Sequence, residues 1–330
     1  MKLGPLKLTN RYVLAPMQNV TTAPYRRFCR TFHDIGLVSV PMIYTKNIMK
    51  TPRSVEPHLY KIEQERPISI QLIGSDTESL KNSIDFLESY KYDILDINAG
   101  CPSRRAINGK EGGYLMKDFE QLKALVQTAV KYSSKPVSLK VRTGFERPMI
   151  VEDFTKIVNN SGLSFIIIHA RIVKNNYDKG SLDLETVKEV KKNVEIPVVG
   201  NGDITDFHTA KQFINYTKVD ALMIGRESMG NPEIFRQIHT YLKNGKKKIV
   251  QNTLSLLENR VKRYERIIEN YLKDLSHPYG NETYKFAELK RNAIWLTKGI
   301  ENSTDFRIRL SKTKNLLELH TILSKIYKNK

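Results

Sequence analysis

Cys101 lies in a Gly100-Cys101-Pro102 turn directly after the apolar run YDILDIN (92–98). A thiol with the reference pKa of about 8.5 is mostly protonated at neutral pH and can serve as a general acid. Loop positions of this kind carry function more often than packing. Lys140 and Arg142 end the run PVSLKVR (136–142), and His169 and Arg171 end FIIIHAR (165–171). Two glycine-rich turns follow, at Gly200-Asn201-Gly202-Asp203 and at Gly225-Arg226. Such turns, leading into helices, aim backbone N–H groups at phosphate, and Arg226 adds a fork matched to phosphate oxygens. A phosphate there leaves Lys140 and His169 over the group it carries. Two donors in that place suit the electron-rich edge of a reduced flavin, and Gln71 could bond the ring's polar edge. Each residue also has a plainer reading: Lys140 as a buried salt-bridge partner, His169 as a hydrogen-bonded core histidine, the glycines as tight-turn residues.

The elements that must position these groups are visible as eight short runs rich in Val, Ile and Leu. They are RYVLAPM (11–17), LVSVPMI (37–43), PISIQLI (67–73), YDILDIN, PVSLKVR, FIIIHAR, IPVVGNGD (196–203) and ALMIGR (221–226). Each is bounded by Gly, Pro or polar residues, as strands buried on both faces are. Helical spacing fills the intervals, for example Phe119, Leu122, Leu125, Val126 and Val130. Eight strand–helix units in unbroken alternation predict a parallel (β/α)8 TIM barrel. A doubly wound open sheet is the alternative, but the position after the first strand reads APMQNVT, without a glycine fingerprint. In a barrel the reactive residues belong at the C-terminal strand ends. Those ends read Pro16-Met17-Gln18, Gln71, Asn98 to Pro102, Lys140 to Arg142, His169 to Arg171, Gly200 to Asp203, and Gly225-Arg226.

Beyond about residue 245 the strand pattern stops. KNGKKK (243–248) reads as a solvated hinge, followed by helical stretches at 254–275, 284–300 and 303–328. Leu254, Leu257, Val261, Tyr264, Ile268, Tyr271 and Leu272 share one face. The expected organisation is a catalytic barrel over 1–243 and a C-terminal all-helical bundle over 244–330. Between 241 and 330 there are 20 Lys and Arg against 9 Asp and Glu, so +11 of the chain's +19 falls in little more than a quarter of its 330 residues. That concentration points to a polyanion-docking module.

Of the two cysteines, Cys29 in PYRRFCRTF reads as a core-facing helix residue, and no disulfide framework is expected. The N-terminus MKLGPLKLTN has no apolar leader and no run reaches membrane length, so the cytoplasm is the expected compartment. There is no G-x-G-x-x-G after a strand, no Walker loop and no metal-type Cys/His spacing, so no bound metal is expected.

Taken together, APM (15–17), NAGCPSRR (98–105), LKVR (139–142), HAR (169–171), GNGDI (200–204) and ALMIGR followed by MGNP (221–232) resemble the tRNA-dihydrouridine synthases. The resemblance runs from about residue 4 to 240, with the motifs in family order; the helical C-terminal part matches in character only. It implies an FMN cofactor, NADPH as reductant and a tRNA partner, and a monomer suits an enzyme that embraces a tRNA. Pro16, Met17, Gln18, Gln71, Lys140, His169, Asn201, Gly202, Asp203, Gly225 and Arg226 would line the FMN. Asn98, Lys140, Arg142 and Arg171 would hold the target uracil, and Cys101 would give the proton to its C5 after hydride reaches C6. The C-terminal bundle would grip the tRNA backbone. IVKNNYDKG (172–180), which borders the implied substrate pocket, does not match one subfamily cleanly, which leaves the identity of the target uridine open. Arg104 and Arg105, just past the turn, read either as tRNA-phosphate contacts or as a solvated helix face. A flavin oxidoreductase acting on a small pyrimidine or enone is the rival reading; it explains the strand ends but not the basic bundle.

Overall fold

In the computed structural model, residues 1–247, 252–273, 275 and 280–328 are described. Lys248, the last residue of the expected hinge, and Asp274, within the first expected helical stretch, lie outside them. The chain divides into two compact units. One comprises Met1–Thr22 with Asp34–Ile224, and the other Ala23–His33 with Gly225–Lys330.

The first unit is the parallel barrel. Its strands are β1 (Tyr12–Leu14), β2 (Val38–Ser39), β3 (Ile68–Ile73), β4 (Ile94–Ala99), β5 (Val137–Arg142), β6 (Phe165–His169), β7 (Val198–Asn201) and β8 (Ala221–Ile224). Each pairs in parallel with its chain neighbour from β3 to β8, and β8 returns to β1. A parallel bridge between Val13 and Leu37, with Leu14 N–H donating to the Leu37 carbonyl at 2.9 Å, joins β1 to the start of β2. Expected run two is split. Ser39 pairs with Ser69, and a short strand at Ile43–Tyr44 resumes pairing at Leu72. Four residue steps face three, a bulge centred on Pro41, which has no N–H to give the ladder.

Strands β3, β4 and β5 alternate. Ile68, Ile70 and Leu72, then Leu95, Ile97 and Ala99, then Val137, Leu139 and Val141 form one buried set. The intervening positions carry Ser69 and Gln71, Asp96 and Asn98, and Ser138, Lys140 and Arg142. A period of two puts these polar residues on the same side of adjacent strands. An apolar cluster of Val13, Ala15, Ile94, Phe165, Ile167, Val199, Ala221 and Met223 includes Leu3 and Leu8 from the N-terminal segment. The hairpin of Lys2–Leu3 and Leu6–Lys7 turns at Gly4, where a Cβ would stand 2.6 Å from the Ser164 Cβ. Ser164 precedes β6, so the hairpin seals the end of the barrel opposite the expected chemistry.

The second unit is helical, with Ala23–Arg30, Ile234–Asn244, Leu254–Leu272, Asn281–Leu296, Ser303–Ser311 and Leu316–Tyr327. The stretch expected as one helix over 303–328 is broken at Lys312–Asn315. Asn315 caps the next helix by accepting the Glu318 N–H at 2.9 Å, while Lys314 N–H goes to the Glu318 carboxylate at 2.8 Å. Local capping competes with helix continuation for the same backbone groups. The helix Ala23–Arg30 belongs with this unit because its apolar face is buried there: Phe28 meets Tyr264 at 5.0 Å and Tyr25 meets Trp295 at 5.9 Å, both edge to face. Cys29 is fully buried on that face, as expected for a core position, and burial pushes its thiol up to about 12.

Candidate active site

The β3–β4–β5 register brings Gln71 opposite Asp96, Asp96 opposite Ser138, and Asn98 opposite Lys140. Asp96, in the middle of an apolar strand, is nearly wholly buried. Its carboxylate accepts Ser138 Oγ–H at 2.6 Å and Gln71 Nε2–H at 2.6 Å. Burial raises its carboxyl to about 6 despite these two donors and the nearby Lys140 charge. The functional reading of the sequence passed over this residue. A lone Asp two positions before Asn98 in a strand of Ile and Leu was the available signal.

Asn98 follows in the same direction. Its Nδ2 donates to Gln71 Oε1 at 2.8 Å, and its Oδ1 accepts the N–H groups of Gly100 at 3.0 Å and Cys101 at 2.9 Å. The turn carrying the thiol is thereby tied to the strand before it. Cys101 Sγ lies 3.3 Å from Ser103 Oγ, and its side chain packs against a cluster of Met42, Tyr44, Ile73 and Ala106. Gly113 N–H donates to the Cys101 carbonyl at 2.9 Å. Gly112 adopts φ +58°, and a Cβ there would stand 2.9 Å from the Cys101 Cβ. A glycine is required at this close approach. Arg105 spreads its guanidinium 3.9 Å over the Tyr44 ring, while Arg104 beside it is exposed.

Arg142 joins two loops. Its Nε donates to the Gly100 carbonyl at 2.9 Å, and its Nη1 to the carbonyls of Ile172 at 3.1 Å and Asn176 at 2.6 Å. Its guanidinium lies 5.1 Å from the centroid of the exposed Tyr177 ring. The Cys101 turn and the 172–177 segment are thus held by one buried cation. Arg171, 0% exposed, gives Nη1 to Asp203 Oδ1 at 3.1 Å and Nη2 to Asp203 Oδ2. Its Nε goes to the Asp178 carbonyl at 2.9 Å and Ser181 Oγ at 3.0 Å. Arg171, which the resemblance places on the substrate, and Asp203, which it places on the cofactor, form an ion pair bracing the turn after β7.

Lys140 Nζ lies 3.4 Å from Asn201 Oδ1, whose Nδ2 donates to the Met223 carbonyl at 2.9 Å. Burial, then the Arg142 charge, lowers the Lys140 ammonium to about 8. His169 is buried, with Nε2 3.4 Å from Arg171 Nη1 and its ring centroid 6.0 Å from that of Tyr177. Gly202 holds φ +137°, and its hypothetical Cβ meets Leu182, Ala170 and His169 at 3.0–3.4 Å. At the end of β1, Pro16 and Met17 are half-buried and Gln18 is exposed. Met17 N–H donates to Thr21 Oγ1 at 2.9 Å, forming a compact turn. Gln71, Asn98, Cys101, Lys140, Arg142, His169, Arg171, Asn201, Gly202 and Asp203 therefore make one connected cluster at the C-terminal strand ends. Gly225 and Arg226 open the second unit, at a short 3-10 turn over Arg226–Ser228 closed by Ser228 Oγ–H to the Gly225 carbonyl at 2.8 Å. Among the described residues, no group of three or more His, Cys, Asp or Glu could hold a metal ion, and no helix is long and apolar enough to cross a membrane.

Comparison with known proteins finds relatives over nearly the whole chain. The chain is 29% identical over 329 residues to a probable tRNA-dihydrouridine synthase of Rickettsia prowazekii, covering 99% of this chain and 97% of that one. It is 32% identical over 311 residues to tRNA-dihydrouridine synthase B of Vibrio vulnificus, covering 93% and 92%. Among solved structures, morphinone reductase superposes with a TM-score of 0.52 at 11% identity, covering 75% of this chain and 90% of that one, a likeness of fold alone. The family model described as dihydrouridine synthase (Dus) matches residues 13–329, and with the barrel, its ordered motifs and these relatives it shows that the chain belongs to the dihydrouridine synthase family.

Proposed function

We propose that this enzyme reduces specific uridines in tRNA to 5,6-dihydrouridine, using FMN as cofactor and NADPH as reductant, with Cys101 as the proton donor. The observation that carries the reading is the cluster itself: a thiol held on a braced turn, with a half-buried lysine on the adjacent strand. The residues present fit FMN. Gln71, Lys140, His169, Asn201, Gly202 and Asp203 lie together at the strand ends, with Lys140 as the cation suited to an anionic ring edge. Gly202 lets the turn after β7 pack against Ala170, Leu182 and His169 at a positive φ, and Pro16, Met17 and Gln18 supply the turn after β1. The Gly225-Arg226 turn of the second unit has N–H groups and a guanidinium suited to phosphate. FMN, when bound and reduced, supplies the hydride that uracil C6 takes up.

The chain's own residues supply the rest. A uridine in a folded RNA must leave its stack to reach groups at a barrel mouth. As C6 gains hydride, negative charge develops on C5 and O4, and the Lys140 ammonium offsets it in a site of low dielectric. The Cys101 thiol then gives its proton to C5, completing addition of two hydrogens across the C5–C6 bond. Asn98, with Arg142 and Arg171 behind the loops, keeps the thiol and the substrate-facing segments in place. The exposed Arg266, Lys312, Lys314, Lys325 and Lys328 of the helical unit carry the basic charge proposed to meet the tRNA backbone.

Nucleoside mass analysis of unmodified tRNA, incubated with the enzyme, FMN and NADPH, tests the reading. A uridine heavier by two hydrogens is expected. An NADPH-oxidising yellow protein that leaves tRNA unchanged would instead favour a small-molecule reductase.

A further inference from the structure

The hydrogen bonds between the Cys101 turn and Ser138 converge on one acceptor, Asp96. Ser138 and Gln71 donate to Asp96, Asn98 donates to Gln71, and Gly100 and Cys101 donate to Asn98. Asp96, Gln71, Asn98 and Ser138 are each less than a tenth exposed, so solvent does little to repair a mismatched link. We propose that Asp96 is a positioning residue: the acceptor it presents to Gln71 matches, through Asn98, the hydrogen-bond polarity that the Cys101 turn requires. Its bearing on turnover rests on Cys101 being the proton donor.

A side-chain amide has nearly the same outline either way round, so its orientation must be dictated by its partners. Backbone N–H groups only donate. Asn98 must therefore face Gly100 and Cys101 with its oxygen, which turns its nitrogen toward Gln71. That nitrogen also only donates, so Gln71 presents its oxygen there and its own nitrogen toward position 96. Only an acceptor matches at that point, and the Asp96 carboxylate is one. At the far end Ser138 can donate or accept, so this end alone is adaptable. Lys140, two residues along β5 from Ser138, is the cation whose charge acts on the carboxylate.

The rule predicts a swap. In Asn98→Asp the new carboxylate still accepts both turn N–H groups but opposes the Gln71 oxygen. In Asp96→Asn the amide can keep its oxygen toward Gln71 and give its NH2 to Ser138 Oγ. With both changes the two links of Gln71, to position 98 and to position 96, reverse; the turn N–H groups and Ser138 still donate as before, and every atom is matched again. The readout is the rate at which iodoacetamide alkylates Cys101 in the full chain, together with the thermal midpoint. Cys29 is wholly buried, and Cys101→Ala gives the background.

Asp96→Asn alone should stay within about threefold of the parent rate, whereas Asn98→Asp should change it by about tenfold or more and lower the midpoint. The double variant should return to within about threefold of the parent, a rescue that independent structural damage would not show. If Asn98→Asp cannot be purified but becomes soluble and folded once Asp96→Asn is added, that is the same rescue. An Asn98→Asp chain that behaves like the parent, or a double variant no better than Asn98→Asp, overturns the proposal. Neither readout depends on the role of Cys101. Failed rescue beside an inactive Cys101→Ala sinks the relay alone, and intact rescue beside a fully active Cys101→Ala sinks the proton-donor reading alone.

Discussion

Asn98 Oδ1 accepts the backbone N–H of Cys101 at 2.9 Å, so the last polar residue of β4 decides where the following loop presents its thiol. The same oxygen takes the Gly100 N–H at 3.0 Å, and Gly113 N–H holds the far side through the Cys101 carbonyl. On the turn's own side each of these bonds is made by a backbone atom, leaving the sulfur for chemistry apart from its contact with Ser103.

Cys101→Ala should therefore keep the fold and lose the reaction. Dihydrouridine formation is expected to fall by about 100-fold or more, the usual effect of removing a general acid. The thermal midpoint should change little, because the turn's hydrogen bonds do not use the side chain. Quantifying dihydrouridine by mass spectrometry beside a melting curve checks both; parental turnover would remove Cys101 from the mechanism.

Gly112→Ala should damage the same turn from outside. The position needs φ +58°, and the added methyl would meet the Cys101 Cβ at 2.9 Å and the Ile73 Cδ1 at 3.0 Å. Strain and crowding together should cost about 1–3 kcal/mol in denaturant titration, with a larger fractional loss of activity than of folded protein. An unchanged midpoint would show that the loop yields more readily than this geometry implies.

Asp203→Asn leaves the Arg171 guanidinium buried without its counter-charge. Breaking one side of a buried pair typically costs about 3–5 kcal/mol, and the partial exposure of Asp203 places the expectation at the lower end. Urea unfolding measures it. The loss should shrink if Arg171→Met is added, since the uncompensated charge is then gone.

The two shifted groups make a pH prediction. The Asp96 carboxyl is raised to about 6, above the unfolded value of about 3.9, so its ionisation opposes folding. That opposition is absent below about pH 4 and complete above about pH 6. The Lys140 ammonium, lowered to about 8 from about 10.4, opposes folding fully below about pH 8 and not above about pH 10.4. Asp96→Asn should thus gain thermal midpoint over the parent at pH 7 and lose that advantage at pH 4. If charged Lys140 supports the reaction, turnover falls as pH rises through about 8, and Lys140→Met should abolish this limb along with most of the rate. A parental limb persisting in Lys140→Met would assign it to another group.

The sequence by itself determined the barrel, because eight apolar runs separated by helical spacing have few other ways to bury both faces of every strand. It also determined which residues gather at the mouth, since Cys101, Lys140, His169 and Gly202 all stand at strand ends. The helical character of the last quarter was legible in its periodicity. What the sequence did not show is who touches whom. Asp203 lies 32 residues from Arg171, and the Asp96–Ser138 and Gln71–Asp96 bonds depend on strand register, where a slip of one residue would turn each side chain to the other face. The same holds for Ala23–Arg30, whose amphipathic face could have lain on the barrel but is buried among Tyr264 and Trp295. Local patterning specifies elements and the faces they bury, whereas polar partners are chosen by long-range closure, where each buried donor must find the acceptor the finished fold brings within reach.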